Sequence, residues 1–281
     1  MSKQKNVIVT DSTADIPPEE QEALNIVVVP AVLTLDGETY QDGVDLSRVD
    51  FYRRLPNLTS PPTTAAPSIG IFEYTYERIL QSGVERILSI HLPTSLSAML
   101  DIATQAAKSF GDRICVFDSG QVSLGMGFQA IESAITALQD APFEAILDSA
   151  RRVRKNVKLI ALIDTLEFLK RSGRIGWLTA GLGNLLRIKI VLELVDGVIN
   201  RLGQVRTRNK AIEQLKSIAE SWGKLDRLAI AHSDCFEGAS VFADTIRNLC
   251  QRPPMIIDVT TAIGAHIGPG AIGVIGVKQS V

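Results

Sequence analysis

The sequence predicts an α/β fold in two lobes. An N-terminal parallel sheet covered by helices is expected over residues 1–155, and a C-terminal mixed or antiparallel sheet with helices over residues 156–281. Three observations predict this. At 281 residues the chain is long for one ordinary domain and comfortable for two. Short β-branched runs alternate with helical periodicities through the first half, as strand–helix–strand units on a parallel sheet do. After about Arg154 the texture changes, and Asp196-Gly197 between two apolar runs is the strongest hairpin signal in the chain.

Val7 to Thr10 reads as a short buried strand ending in Asp11-Ser12-Thr13, and Pro17-Pro18 opens a helix to about Leu24. Ile26 to Leu35 reads as one strand closed by the turn Asp36-Gly37. Ser47 is placed to cap a helix through Leu55. Pro56 to Pro67 carries four prolines and reads as a loop. Ser68 opens a helix with Ile69, Phe72, Tyr76, Ile79 and Leu80 at helical spacing, and Gly83 ends it. A strand over Val84–Leu92, a helix over Ser97–Ser109 and a strand over Arg113–Asp118 follow. Leu124, Phe128, Ile131, Ile135 and Leu138 then form an amphipathic stripe.

In the second half, Lys158–Ile163 reads as a strand and Thr165–Lys170 as the start of a short helix. Ile188–Val195 and Val198–Leu202 form the hairpin, and Gly203-Gln204 reads as a turn. Helices from about Asn209 and Glu237 flank a strand over Arg227–Ala231, and strands over Met255–Thr260 and Ile272–Val277 finish the chain.

Charge and composition narrow the function classes. With 29 basic and 31 acidic residues there is no basic excess for a nucleic-acid partner, and the cluster Arg151, Arg152, Arg154 and Lys155 reads as a solvated helix face. The longest apolar stretch, Thr261–Val277, is interrupted by glycines and by His266 and falls short of a membrane span. The N-terminal apolar run is too short for a signal-peptide core, which predicts a cytoplasmic protein. Three scattered cysteines, Cys115, Cys235 and Cys250, fit a reduced compartment.

No metal-ligand spacing or phosphate loop is visible, and no cofactor is expected. Gly125-Met126-Gly127-Phe128-Gln129-Ala130 fits G-x-G-x-x-A, but it lies too far past its strand to meet a pyrophosphate. Close helix packing is the reading for those glycines. Polar residues at strand ends are more informative, because ligands of open α/β sheets bind beyond the carboxyl ends of the strands. Asp11-Ser12 and Asp118-Ser119 read as local caps there. Ser97 opens a helix whose free donors suit an anion such as a carboxylate. Thr64 in the proline-rich loop and His266 between glycines are the other candidate ligands.

With these residues in place, the chain resembles the DegV family along essentially its full length. Thr10-Asp11-Ser12-Thr13-Ala14-Asp15 is similar to the family's T-D-S-x-x-D start, and Pro62-Thr63-Thr64-Ala65-Ala66-Pro67-Ser68 to its P-T-T-S-x-P-S loop. Leu96-Ser97-Ala98 stands where the family has L-S-G. The blocks Leu166–Arg174 and Ile263–Ala271 match two further motifs. The resemblance implies a two-lobed protein holding one long-chain fatty acid, such as palmitate or oleate, in a tunnel between the lobes. Thr64 and Ser97 would bond the carboxylate, with His266 beside it. It further implies a non-catalytic subunit that presents the acyl carboxylate to a separate ATP-binding fatty acid kinase subunit, with Arg206 at the docking surface. Ala65, Ala66, Pro93 and Ala98-Met99-Leu100 depart from the family pattern and remove hydrogen-bonding groups near the implied head group. The alternatives are a family member with another apolar ligand, an acyl hydrolase using a Ser–His pair, or a small-molecule kinase. No G-x-S-x-G turn supports the hydrolase.

Overall fold

The computed structural model describes residues 4–173 and 188–279. In chain order the strands are β1 (Asn6–Asp11), β2 (Ile26–Val29), β3 (Val32–Leu35), β4 (Glu38–Gln41), β5 (Thr63–Ala65), β6 (Arg86–His91), β7 (Ile114–Asp118), β8 (Val157–Ile163), β9 (Lys189–Val195), β10 (Val198–Val205), β11 (Leu225–His232), β12 (Met255–Asp258) and β13 (Ile272–Lys278). The helices are α1 (Pro18–Ala23), α2 (Arg48–Arg54), α3 (Ile69–Gln81), α4 (Met99–Ala107), α5 (Leu124–Leu138), α6 (Phe143–Asn156), α7 (Glu167–Ser172), α8 (Arg208–Ser221), α9 (Phe236–Ile246) and α10 (Thr261–Ile267).

These elements form two compact units. The first comprises the residues through Val32 together with Ala65–Lys155; the second comprises Leu33–Thr64 and the described residues from Asn156 on. A first lobe running unbroken over residues 1–155 therefore needs correction, because residues 33–64 pack with the second half of the chain. The cause is burial. Leu33, Leu35, Leu46, Phe51, Tyr52 and Leu55 share a core cluster with Ala265 of α10 and with Phe168 of α7.

The break that sends the chain there is Pro30. Ile26 to Leu35 is not one strand but two, β2 and β3, in different sheets. A proline has no N–H for a ladder. The next amide, Ala31 N–H, donates to Ser12 Oγ at 3.0 Å instead of to a strand.

In the first unit β2, β1, β6 and β7 form, in that order, an entirely parallel sheet. Helix α5 packs on β1, and α4 on β6 and β7. A Cβ on Gly127 would come within 2.5 Å of the Ala14 carbonyl oxygen, so the glycines of the G-x-G-x-x-A segment serve close helix packing. The arginine-rich end of α6 is a solvated face: Arg151 pairs with Glu144 and Asp148 at 2.6 and 2.9 Å, while Ile146, Ala150 and Val153 turn inward.

In the second unit the order is β10-β9-β8-β13-β11-β12, antiparallel except for the parallel pair β11–β12. Asp196 and Gly197 both take positive φ, 46° and 77°, as the tight turn between β9 and β10 demands. Gly203-Gln204 is not a turn. β10 runs on to Val205, and its register slips between Arg201 and Gly203, a bulge rather than an end. Helices α8 and α9 close this sheet over Leu215, Leu228, Ile230, Phe242 and Val274. A separate three-stranded sheet, β4-β3-β5, comes from the inserted stretch, so part of the expected proline-rich loop is a strand.

Candidate functional site

Thr64 and His266 meet within the second unit. Thr64 lies in β5, His266 in the last turn of α10, and Thr64 Oγ1 is 2.7 Å from His266 Nε2. Both residues are half-buried. They are 202 positions apart in sequence, so the fold and not local chain geometry brings them together.

Three contacts fix where α10 lies. At its start Asp42, 2% exposed, accepts hydrogen bonds at Oδ1 from Thr261 N–H (3.0 Å), Thr261 Oγ1 (2.6 Å) and Ala262 N–H (3.4 Å). Beyond its end Ser233 Oγ donates to the Gly268 carbonyl at 2.7 Å and accepts from Ala271 N–H at 2.9 Å. Along its side a Cβ on Gly264 would come within 2.5 Å of the Tyr52 hydroxyl. At Gly268, whose φ is +69°, a Cβ would collide with the Phe168 ring. Gly264 and Gly268, on either side of His266, are thus explained by the approach of the protein's own aromatic side chains.

A cavity of about 540 Å³ opens at the pair. Phe168, Ala265, Pro61 and Pro62 give it apolar wall, and Thr64, His266, Ser60 and Arg171 give it polar groups. Its loop wall is held by Asp36, whose Oδ1 accepts from Thr59 N–H and Oγ1 (3.0 and 2.8 Å) and from Ser60 N–H and Oγ (3.1 and 3.3 Å). The Thr59 hydroxyl, with the other three donors, holds the Asp36 carboxyl below the usual carboxylate range.

Ser97 belongs to the first unit. It precedes α4, is half-buried, and its Oγ accepts from Met99 N–H at 3.3 Å. The helix itself starts two residues later than expected, at Met99. Ser119 is engaged locally with the backbone of Gln121, whereas Ser12 accepts from Ala31 N–H, 19 residues on, and is not the local cap expected. Arg206 is exposed between β10 and α8. Arg174, the last residue of one family block, lies outside the described residues.

The first unit also holds a buried polar chain. Asp11 Oδ2 meets His91 Nδ1 at 2.8 Å, His91 Nε2 meets Ser89 Oγ at 2.8 Å, and Ser89 Oγ meets the Tyr76 hydroxyl at 2.8 Å. All four residues are 0% exposed. Burial raises the Tyr76 phenol well above its ordinary pKa. The order Asp–His–Ser is that of a hydrolase triad, but Ser89 Oγ faces a tyrosine and no open space, so it cannot meet a substrate carbonyl.

Sequence reasoning missed Asp42, Ser233 and Asp36, because each acts on backbone that is remote in the chain or in an irregular loop. It also passed over His232 and Asp258, at the carboxyl ends of the paired strands β11 and β12, with Nδ1 and Oδ1 3.5 Å apart. Burial lowers the His232 pKa and raises that of Asp258.

Comparison with known proteins agrees along the whole chain. A family model described as "Uncharacterised protein, DegV family" matches residues 5–279. A DegV domain-containing protein of Streptomyces coelicolor is 34% identical over 275 residues, covering 95% of this chain and 96% of its own. One from Staphylococcus aureus is 34% identical over 279 residues, covering 98% and 99%. Among solved structures, a DegV family protein from Thermus thermophilus, described by its fatty acid binding, matches with a TM-score of 0.90 at 29% identity over 98% of this chain and 100% of that one. Bacillus subtilis DegV, described as a fatty acid binding protein, matches with a TM-score of 0.85 at 30% identity over 99% and 100%.

Proposed function

We propose, on the premise that this chain belongs to the DegV family, that it binds one long-chain fatty acid and holds the carboxylate at Thr64 and His266. The observation that carries the reading is the 2.7 Å Thr64–His266 bond in the lining of a cavity. A threonine hydroxyl has one hydrogen to give. If His266 carries its proton on Nε2 and donates to Thr64 Oγ1, the hydroxyl hydrogen is free to donate to a carboxylate oxygen. The pair then works as a relay that turns an imidazole N–H into an outward hydroxyl donor. A buried carboxylate requires such donors, while the acyl chain contributes about 0.8 kcal/mol for each methylene removed from water. Ser97 enters on the family pattern, as a second hydroxyl for the same carboxylate.

The chain is read as a non-catalytic, cytoplasmic carrier that presents the carboxylate to a separate ATP-binding kinase subunit, with Arg206 at the docking surface. No helix among the described residues is long and apolar enough to cross a membrane. An acyl hydrolase is disfavoured by the sealed state of Ser89.

Denaturing the purified protein and identifying the released lipid by mass spectrometry tests the binding step. About one fatty acid per chain is expected; repeated absence of lipid, with no thermal stabilisation by added palmitate or oleate, overturns it. The carrier step is tested with the kinase subunit. Arg206→Ala should slow acyl phosphate formation while leaving palmitate affinity unchanged, and the defect should shrink at high salt as exposed charges are screened. ADP formation by the isolated chain from fatty acid and Mg-ATP would sink the carrier reading.

A further inference from the structure

We infer that Asp42 is the positioning residue of the head-group site, acting through α10 to set the His266 ring against Thr64. The inference rests on reading that pair as the fatty-acid site, but its first test needs no lipid. Helix α10 has seven residues. A helix that short does not persist on its own, so what grips its ends decides its geometry. At the N-terminal end the grip is a buried carboxylate supplied from 219 residues earlier in the chain, with Asp42 Oδ1 taking the Thr261 and Ala262 amides and the Thr261 hydroxyl. Anionic acceptors at that end also favour the helix dipole.

Asp42 is itself held tightly. It follows Gln41, whose carbonyl accepts from the amides of Val44 and Asp45, and whose own N–H donates to Asp45 Oδ2 at 2.9 Å. Asp42 also forms an isolated bridge with Leu46. A fixed turn therefore pins the first turn of α10, and His266 sits one turn further on. Because the helix is a rigid rod over so few residues, a displacement at Thr261 is carried to His266. A displacement that opens the 2.7 Å pair beyond about 3.5 Å, or turns the ring out of line with the hydroxyl, breaks the bond. The stretch 33–64 thus brings two things to the site: Thr64, which touches the imidazole, and Asp42, which aims it.

The test starts with the apo protein. The chain has three histidines, so the His266 ring signals can be assigned by NMR against His91 and His232. In Asp42→Ala the ring signals should move to where Thr64→Ala puts them, with the fold intact by circular dichroism. Thr261→Val removes one of the three bonds and keeps the side-chain shape. It should shift the same signals part of the way and serves as the test if Asp42→Ala does not fold. Palmitate affinity should fall about tenfold in Asp42→Ala, as expected for lost bonds to a charged acceptor. The double variant Asp42→Ala/His266→Ala should bind no more weakly than His266→Ala alone, because Asp42 acts through the ring. His266 signals unchanged in the folded variants, or additive losses in the double variant, would overturn the proposal. If the wild-type protein takes up no palmitate, the fatty-acid reading fails, and the ring spectra still decide the role of Asp42.

Discussion

His91 and His266 are built alike and placed differently. Each has a ring nitrogen within 2.8 Å of a hydroxyl oxygen, Ser89 for His91 and Thr64 for His266. His91 is 0% exposed, and its other nitrogen meets the Asp11 carboxylate, itself bonded to the Thr13 amide at 3.0 Å; Phe72 stands edge-on to the ring at 5.2 Å. His266 is half-buried at a cavity. A histidine–hydroxyl pair is therefore not a site by its chemistry alone. In the first unit it ties together two neighbouring strands and a covering helix; in the second it faces space that a ligand can enter.

The largest effect should come from breaking the sealed pair. His91→Ala leaves a buried carboxylate and a buried hydroxyl without their partner, and should lower unfolding free energy by about 3–5 kcal/mol. Urea denaturation measures this directly, and a midpoint equal to wild type would erase the distinction between the two histidines. At the open pair the effect should appear in binding. Thr64→Ala and Ser97→Ala should each weaken palmitate binding by about 1–3 kcal/mol, read by displacement of a fluorescent fatty acid. Neither change should move the urea midpoint as His91→Ala does. Thr63→Ala, at an exposed position one residue away, should change little. Sensitivity at Thr63 in place of Thr64 would misplace the open site.

The smallest expected effect is a pH response of the cavity wall. Asp36 has its carboxyl pKa lowered, first by the Thr59 hydroxyl. A carboxylate lowered on folding contributes stability that is present above its unfolded pKa and lost as pH falls through the folded one. The wall should therefore stay pinned at neutral pH and loosen only in acid below the ordinary aspartate range. Amide signals of Thr59 and Ser60 should follow that titration, and Asp36→Asn should abolish it. The same titration persisting in that variant would assign it to another group.

Much of the fold was legible because it is periodic. The helical stripe from Leu124 and the Asp196-Gly197 hairpin are local signals, and both elements stand where they were expected. Thr64 and His266 stood out in the sequence as ligand candidates, and the structure shows that they touch. What was not legible depends on distant partners. Residues 33–64 look like a continuation of the first lobe, since Leu33 and Leu35 reveal only that they are apolar, not which core they join. Pro30 was the available clue to a break inside the apolar run. Helix α10 was hidden because Gly264 lowers the helix propensity of a seven-residue segment, and its cap, Asp42, is nowhere near it in sequence. Thr63–Ala65 was hidden among prolines, although none of its three residues is one.

The loan of residues 33–64 to the second unit has a consequence for biosynthesis. Leu33, Leu35, Phe51 and Leu55 leave the ribosome long before the helix that carries Ala265 and His266. At about 5–20 residues per second, the 202 residues between Thr64 and His266 take roughly 10–40 s to translate. An apolar stretch waits for its core through that interval, and once β6 and β7 have been made the parallel sheet that flanks it in sequence has all its strands available. Contacts this distant in sequence also slow folding after release. The nascent chain therefore passes through a state in which the first unit can be complete and its excursion is still uncovered, a natural substrate for chaperones that shield hydrophobic segments.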